Sequence, residues 1–296
     1  MLPVARRLRV GWAVLAVAAG AMRAHAAEPA GETFPDPEAP LSILPTPDDA
    51  LIDPKMARSW ATLPPRYFAA TTVDIGFVYF RPRLSLGYGR PFTQWVGIDA
   101  NPIAATSGLG AYGGARVEMP HLDFRIGPRY YVSFERTFLP LRPSYQRIDL
   151  ERNTGDRAKT LTFEAELDLS FKLGPGVLLL RGSGSYVTGV PEGKVVFEEA
   201  LHIIVDPPLV WRGRFAYVFT FGARDQHSIG PAVDVLAVPK RDDSTTVRVG
   251  PIMRMQLSRR VEVRGSFIAT IVSPDRIGRV GGDFTELGVR YRWASE

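Results

Sequence analysis

Residues 246–257 read TVRVGPIMRMQL: Val247, Val249, Pro251, Met253, Met255 and Leu257 fall on one face, and Thr246, Arg248, Gly250, Arg254 and Gln256 on the other. Two further stretches repeat the pattern. Val261 to Ile271 sets Val263, Phe267, Ala269 and Ile271 against Glu262, Arg264, Ser266 and Thr270, and the closing stretch sets Leu287, Val289, Tyr291 and Trp293 against Glu286, Gly288, Arg290 and Arg292. Alternation with period two sends successive side chains to opposite faces of a sheet. A run of strands with one apolar and one charged face is what a membrane-spanning β-barrel requires.

Working backwards from that end, the same signal recurs to about Tyr67. Val73, Ile75, Phe77 and Tyr79 share a face, followed by Leu84, Leu86 and Tyr88. Leu109, Ala111, Ala115, Val117 and Met119 oppose Tyr112, Arg116 and Glu118; Leu122, Phe124, Ile126, Tyr130, Val132 and Phe134 oppose Asp123, Arg125, Arg129, Ser133 and Glu135. The longest uninterrupted case is Leu161 to Leu173, whose polar face carries Glu164, Glu166 and Asp168. Phe215, Tyr217, Phe219 and Phe221 line up opposite Arg214, Thr220 and Arg224. Turn-forming runs such as Gly174-Pro175-Gly176 and Pro191-Glu192-Gly193 separate the segments. At roughly 10 residues per spanning strand, the region holds about 12 strands, with 10 or 14 as alternatives because such barrels use even numbers. The fold class expected is all-β, a transmembrane antiparallel barrel.

Two features strain the alternation. Gly-Pro pairs at 127–128, 230–231 and 250–251 remove ladder donors inside strands and read as bends or bulges. Val195 to Val205, taken as a barrel strand, turns Glu199 towards lipid unless a bulge lies at Glu198-Glu199 or the strand end sits near the headgroups.

The amino-terminal 65 residues differ in kind. Arg6, Arg7 and Arg9, the apolar run Val10–Ala21, and Ala24-His25-Ala26 form the basic, apolar and cleavage regions of a secretory signal peptide over 1–26. The apolar run is shorter than the roughly 20 residues of a spanning helix. Residues 27–65 are Pro-rich and acidic, a periplasmic tail or linker, in which Asp48–Trp60 has the makings of a short helix. The barrel domain is expected over 66–296. The leader carries four of the arginines and no acid, so without it 32 Lys+Arg remain against 31 Asp+Glu. The basic balance of the whole chain therefore belongs mostly to the leader and gives no ground for nucleic-acid binding. With no cysteine, disulfides, thiolate metal sites and Cys nucleophiles are excluded, and no histidine set has zinc spacing. No cofactor is implied.

Leader, alternating strands and an aromatic-ended last strand together resemble the Gram-negative outer-membrane β-barrel superfamily, over about Tyr67 to Trp293. The resemblance implies a porin-like protein of the cell outer membrane, reached through the general secretory route. It also implies that Leu287, Val289, Tyr291 and Trp293 are the signal read by the barrel-insertion machinery. Ala294-Ser295-Glu296 follow the aromatic, where the family usually stops at it.

With the apolar set facing lipid, the charged set lines the lumen. Basic residues Arg214, Arg248, Arg254, Arg264, Arg290 and Arg292 dominate the later strands, and Glu164, Glu166 and Asp168 cluster on one earlier strand. Across a barrel this predicts an acidic wall opposite a basic one, a transverse field acting on small polar or anionic solutes. The same charges, paired into ladders, would instead plug a closed structural barrel. An enzyme reading rests on His121, His202 and His227, of which His202 is expected to share a face with Glu198 and Asp206. A soluble lipocalin-like barrel requires the reverse assignment, apolar inside and polar outside. The channel is the reading adopted, with the closed barrel as its alternative.

Overall fold

In a computed structural model, residues 64–76, 79–105, 107–222, 226–241, 244–278 and 287–295 are described. The expected leader, most of the Pro-rich segment with its short helix, Arg224 and Glu286 lie outside them.

Twelve antiparallel staves close into a barrel. In chain order they are β1 (Arg66–Gly76), β2 (Tyr79–Arg90), β3 (Gln94–Ala105), β4 (Gly108–Met119), β5 (Leu122–Thr137), β7 (Arg157–Leu173), β8 (Gly176–Thr188), β11 (Leu209–Phe221), β12 (His227–Ala237), β13 (Thr246–Gln256), the interrupted pair β14 (Val261–Ser266) and β15 (Ala269–Val272), and β16 (Gly288–Ala294). Each stave pairs with the next, and β14 and β15 both pair with β13 and so act as one. The seam joins β1 to β16 from Ala70↔Ala294 to Gly76↔Gly288. The residues after the last aromatic belong to that seam: the Ser295 amide donates to the Ala69 carbonyl at 2.8 Å, and the Ala69 amide donates to Ser295 Oγ at 3.1 Å. Among the described residues the ring closes through β14 and β16, and a lipid environment demands such closure.

Which face points outward is decided by exposure. Leu84, Leu86, Ile98, Phe163, Leu167, Phe171, Phe219, Ile229, Val289, Tyr291 and Trp293 are exposed on the outer surface, whereas Asp74, Asp99, Arg129, Arg214, Asp234, Arg248 and Glu262 are buried inside. This is the inverse of a lipocalin, and the soluble-barrel alternative falls with it. Short connections lie at the end where β2 meets β3, β4 meets β5, β7 meets β8 and β13 meets β14; both ends of the barrel sequence lie there too. The long connections 138–156 and 189–208 share the other end. In outer-membrane barrels the short turns are periplasmic and the long loops extracellular.

Val195–Val205 is a correction. It is no barrel strand: β9 (Lys194–Glu198) and β10 (Ile203–Val205) form a hairpin that, with β6 (Leu139–Pro140), makes a separate three-stranded sheet in the order β10-β9-β6. Two runs of consecutive apolar residues explain it, because a barrel stave exposes every second residue and this segment buries Val195, Val196, Ile203, Ile204 and Val205 almost completely. One face of the hairpin packs on the inner wall through Ala158, Val187, Val210 and Leu236. The other packs under the loop that carries Leu139, Tyr145 and Leu150, the last on helix α1 (Arg147–Arg152). The hairpin thus fills the long-loop end of the lumen.

The bulge half of the Gly-Pro reading is a second correction: the register is kept past all three pairs, although strand pairing lapses on one flank of each, opposite Gly113–Gly114, Tyr217–Val218 and Phe267–Ile268. A Cβ at Gly127, Gly230 or Gly250 would stand 2.2, 2.0 and 2.0 Å from a carbonyl oxygen of the neighbouring strand. Glycine there permits close backbone approach beside a residue that offers no donor. Real shifts occur elsewhere, between Val132 and Thr137 on β5 and between Val247 and Arg248 on β13. The first explains why Glu135, expected inside, is exposed.

The outward assignment predicts that Leu167→Arg, on the lipid face of β7, destabilises the inserted barrel by about 2–4 kcal/mol. Ser183→Arg, on the lumen face of β8, should cost less. Denaturant unfolding in lipid vesicles checks the difference, and equal costs would reverse the two faces.

Candidate functional site: the charged lumen

Alternation fixes which side chains enter the lumen, and pairing register fixes which of them meet. One row of register partners runs Glu118, Asp123, Asp168, Arg181, Arg214, Asp234, Arg248 across β4, β5, β7, β8, β11, β12 and β13. Because strands in a closed barrel tilt, such a row climbs the wall rather than circling it at one height.

Arg214, Arg248, Arg254, Arg264, Arg290, Arg292, Glu164, Glu166 and Asp168 face inward, but they do not form two bare walls. Glu164 takes Arg129 at 3.0 Å, Glu166 takes Arg125 at 3.0 Å, and Asp168 takes Arg181 through two bonds of 2.6 and 2.8 Å. Arg214 stands only two staves from β7 and forks onto Asp234 at 2.5 and 2.9 Å, with Arg212 adding 2.6 Å to the same carboxylate. Asp234 is 0% exposed, and an ion pair so buried persists only because guanidinium donors satisfy its oxygens. Arg290 forks onto Asp74 at 2.5 and 2.9 Å.

Two places near the short-turn end lack this balance. On β3–β5, Arg116 alone reaches Asp99 at 3.3 Å, Glu118 at 3.0 Å and Asp123 at 2.8 Å. Arg83 adds only a 4.0 Å approach to Asp99. On β13, β14 and β16 the ratio inverts: Arg254 at 2.6 Å, Arg292 at 3.0 Å and Arg264 all converge on the single carboxylate of Glu262. Around the ring, β14 lies five staves from β4 one way and seven the other, so the two poles are nearly opposite. An acid-rich and a base-rich pole do face each other, but the acid-rich one is centred on Asp99, Glu118 and Asp123 rather than on Glu164, Glu166 and Asp168. Asp74, Asp99, Arg83, Arg212 and Asp234 were not among the expected lumen charges; the signal was present, since Asp74, Asp99 and Asp234 each sit between two apolar neighbours in a period-two run.

The tip of the β9–β10 hairpin reaches the middle of this wall. Glu198 accepts from Arg129 at 3.0 Å. Arg248 donates to the carbonyls of Leu201 and His202 at 2.7 and 3.0 Å, so its charge is spent on the plug rather than on an acid. Arg136 lies 3.5 Å from Glu199. Behind the tip, Arg241 joins three loops by bonding Asp275 at 2.7 and 2.8 Å, the Ile204 carbonyl at 3.2 Å and the Pro143 carbonyl at 3.2 Å. The His–carboxylate pair considered from sequence is not formed: the His202 ring packs on Phe197, centroids 5.5 Å apart, and Asp206 takes Lys240 at 2.8 Å. Among the described residues no group of three or more His, Cys, Asp or Glu is placed to hold a metal.

No family model matches this chain, and no curated protein matches it either. Among solved structures it is similar to the NanC porin in a rhombohedral crystal form, with a TM-score of 0.35 and 8% identity over 77% of this chain and 97% of that one. It is also similar to OccK11 (OpdR) of Pseudomonas aeruginosa, with a TM-score of 0.26 and 10% identity over 77% and 96%. At such scores nothing about a solute passes from those proteins to this one; the barrel stands on its own register and exposure.

The hairpin tip has two titrating groups of opposite sense. Burial, reinforced by Glu198, pushes Glu199 up from 4.5 to about 7 against the pull of Arg136. Burial, then Arg248 and Arg136, push His202 down from 6.5 to about 4. A raised carboxyl stabilises the docked tip below its unfolded value and loses that contribution as pH rises to about 7. A depressed imidazole stabilises above its unfolded value and loses that contribution as pH falls to about 4. Glu199→Gln should therefore leave tip protection that only falls with acidification, and His202→Gln protection that only falls with rising pH. Amide exchange at the tip, corrected for intrinsic rates, reads both; identical profiles in the two variants would refute the assignment.

Proposed function

We propose that this chain is a porin-like channel of the outer membrane for passive diffusion of small polar or anionic solutes, held shut in the conformation described by the β9–β10 hairpin. The observation that carries the reading is the inverted barrel itself: an apolar outer surface around a lumen of guanidinium and carboxylate groups, with an acid-rich and a base-rich pole across it. A hydrated path between such poles orients dipolar solutes and favours one sign of charge. Arg254, Arg264, Arg290 and Arg292 are the basic residues proposed to select, with Arg214 and Arg248 holding Asp234 and the hairpin. Leu287, Val289, Tyr291 and Trp293, exposed along β16, are proposed as the strand read by the insertion machinery. The closed structural barrel is the second reading, favoured by one observation: the inward charges are buried or half-buried and most are already paired.

Single-channel recording of the refolded protein in planar bilayers separates the two. The expected result is small or infrequent steps for the native chain and larger, more frequent ones once residues 194–205 are replaced by a short Gly-Ser linker. Neutralising Arg254, Arg264 and Arg292 to Gln should then shift selectivity towards cations. Silence from a folded, inserted barrel lacking the hairpin sinks the channel and leaves the ion-paired barrel.

A further inference from the structure

Glu262 is an unusual counter-ion. Its side chain is only 2% exposed and both oxygens are committed, Oε1 to Arg264 and Oε2 to Arg254 and Arg292. One negative charge therefore answers three guanidinium groups. Register makes the crowding worse, because Arg254 and Arg264 lie directly opposite each other on β13 and β14, an arrangement in which like charges repel. The next cation along, Arg290, is directly opposite Glu262 in register, but its fork is taken by Asp74, which also receives Arg81 at 3.4 Å. Arg264 remains the most open member, its side chain 37% exposed, and that exposure is to the lumen because even-numbered residues of β14 face inward. A cationic cluster with too little internal counter-charge, walled by a low-dielectric barrel, concentrates anions.

We propose that Arg254, Arg264 and Arg292, gathered by Glu262, form a binding site for a small oxyanion, a phosphate, sulfate or carboxylate group presenting two or more acceptor oxygens to the lumen. Guanidinium forks match such groups through paired charge-assisted hydrogen bonds, which a spherical halide cannot reproduce. The proposal rests on the channel reading for its biological sense, since it names the chemical class of solute that the base-rich pole detains on its way through. Glu262 has two roles there: it holds the three side chains in one place, and it competes with the incoming anion for their donors.

The test uses the folded full-length barrel in a lipid-free non-ionic detergent, titrated calorimetrically with inorganic phosphate against sodium chloride at matched ionic strength. Saturable phosphate binding without a chloride counterpart is expected. Arg264→Gln should weaken it by about tenfold or more, the loss of one charge-assisted contact, and Glu262→Gln should tighten it by removing the competitor. A merely structural role for the cluster would not move affinity in opposite directions. Should Glu262→Gln fail to fold, Arg264→Gln and Arg292→Gln carry the comparison. No saturable phosphate binding, or binding untouched by either Arg variant, overturns the site. Conductance without phosphate binding would leave the channel and remove the site; phosphate binding by a barrel that stays silent would do the reverse.

Discussion

A charged residue on a stave of a closed barrel faces either lipid or lumen, and the pleat decides which. Lipid-facing charge costs several kcal/mol at mid-depth, so the alternation drives the Asp, Glu and Arg at mid-depth inward, where they must neutralise one another. The rest of the molecule follows from that confinement. Arginine dominates lysine because a planar fork can serve one carboxylate with two bonds and still reach a second acid or a carbonyl, as Arg129 does between Glu164 and Glu198. Register then determines which pairs form, since antiparallel neighbours stand only about 5 Å apart. Where register puts acid against base, as at Asp234 between Arg214 and Arg248, the wall is locally quiet. Where it puts Arg254 against Arg264, a single carboxylate two residues along β14 has to serve both.

The barrel was legible because two constraints agree along its whole length: lipid needs an apolar outer face, and the pleat repeats every two residues. The final strand shows the limit of that logic. Its apolar face is plain from Leu287 to Trp293, yet the contribution of Ser295 to the seam depends on Ala69, more than two hundred residues away. The charges were legible as inward-facing but not as pairs, because partner choice depends on shear and stave order, which periodicity does not encode. Hence Glu164, Glu166 and Asp168 looked like a free acidic wall, while their guanidinium partners came from β5 and β8.

The hairpin was misread for a related reason. Val195–Val205 is apolar and β-branched, so its propensity is correct; what it lacks is a polar face. A segment buried on both sides cannot be a stave between lipid and a charged lumen. It must be a strand inside a second small core, and Leu139, Tyr145 and Leu150 supply that core from a loop fifty residues earlier. Glu198 and Glu199 looked like a defect in a stave. They are the point where the hairpin leaves its apolar bed and meets Arg129 and Arg136.

The division of labour within the hairpin sets how the lumen opens. Val195, Val196, Ile203, Ile204 and Val205 are nearly fully buried, and at about 1.5–3 kcal/mol for each such side chain they hold the hairpin by roughly 7–15 kcal/mol, less whatever the undocked hairpin still buries. Even at the lower end of that range the hairpin would be ejected whole in only about one molecule in a hundred thousand. The tip is held differently, by the charge pairs Glu198–Arg129 and Glu199–Arg136 and by Arg248 on two carbonyls. Each such contact nets only about 1.5–3 kcal/mol, since water and other acids replace it readily. A fluctuation that frees Glu198–His202 and leaves the apolar bed in place is therefore far cheaper than removing the plug, and it exposes the side of the wall where Arg129 and Arg248 stand. Bending of the tip over a fixed base is the motion this packing favours.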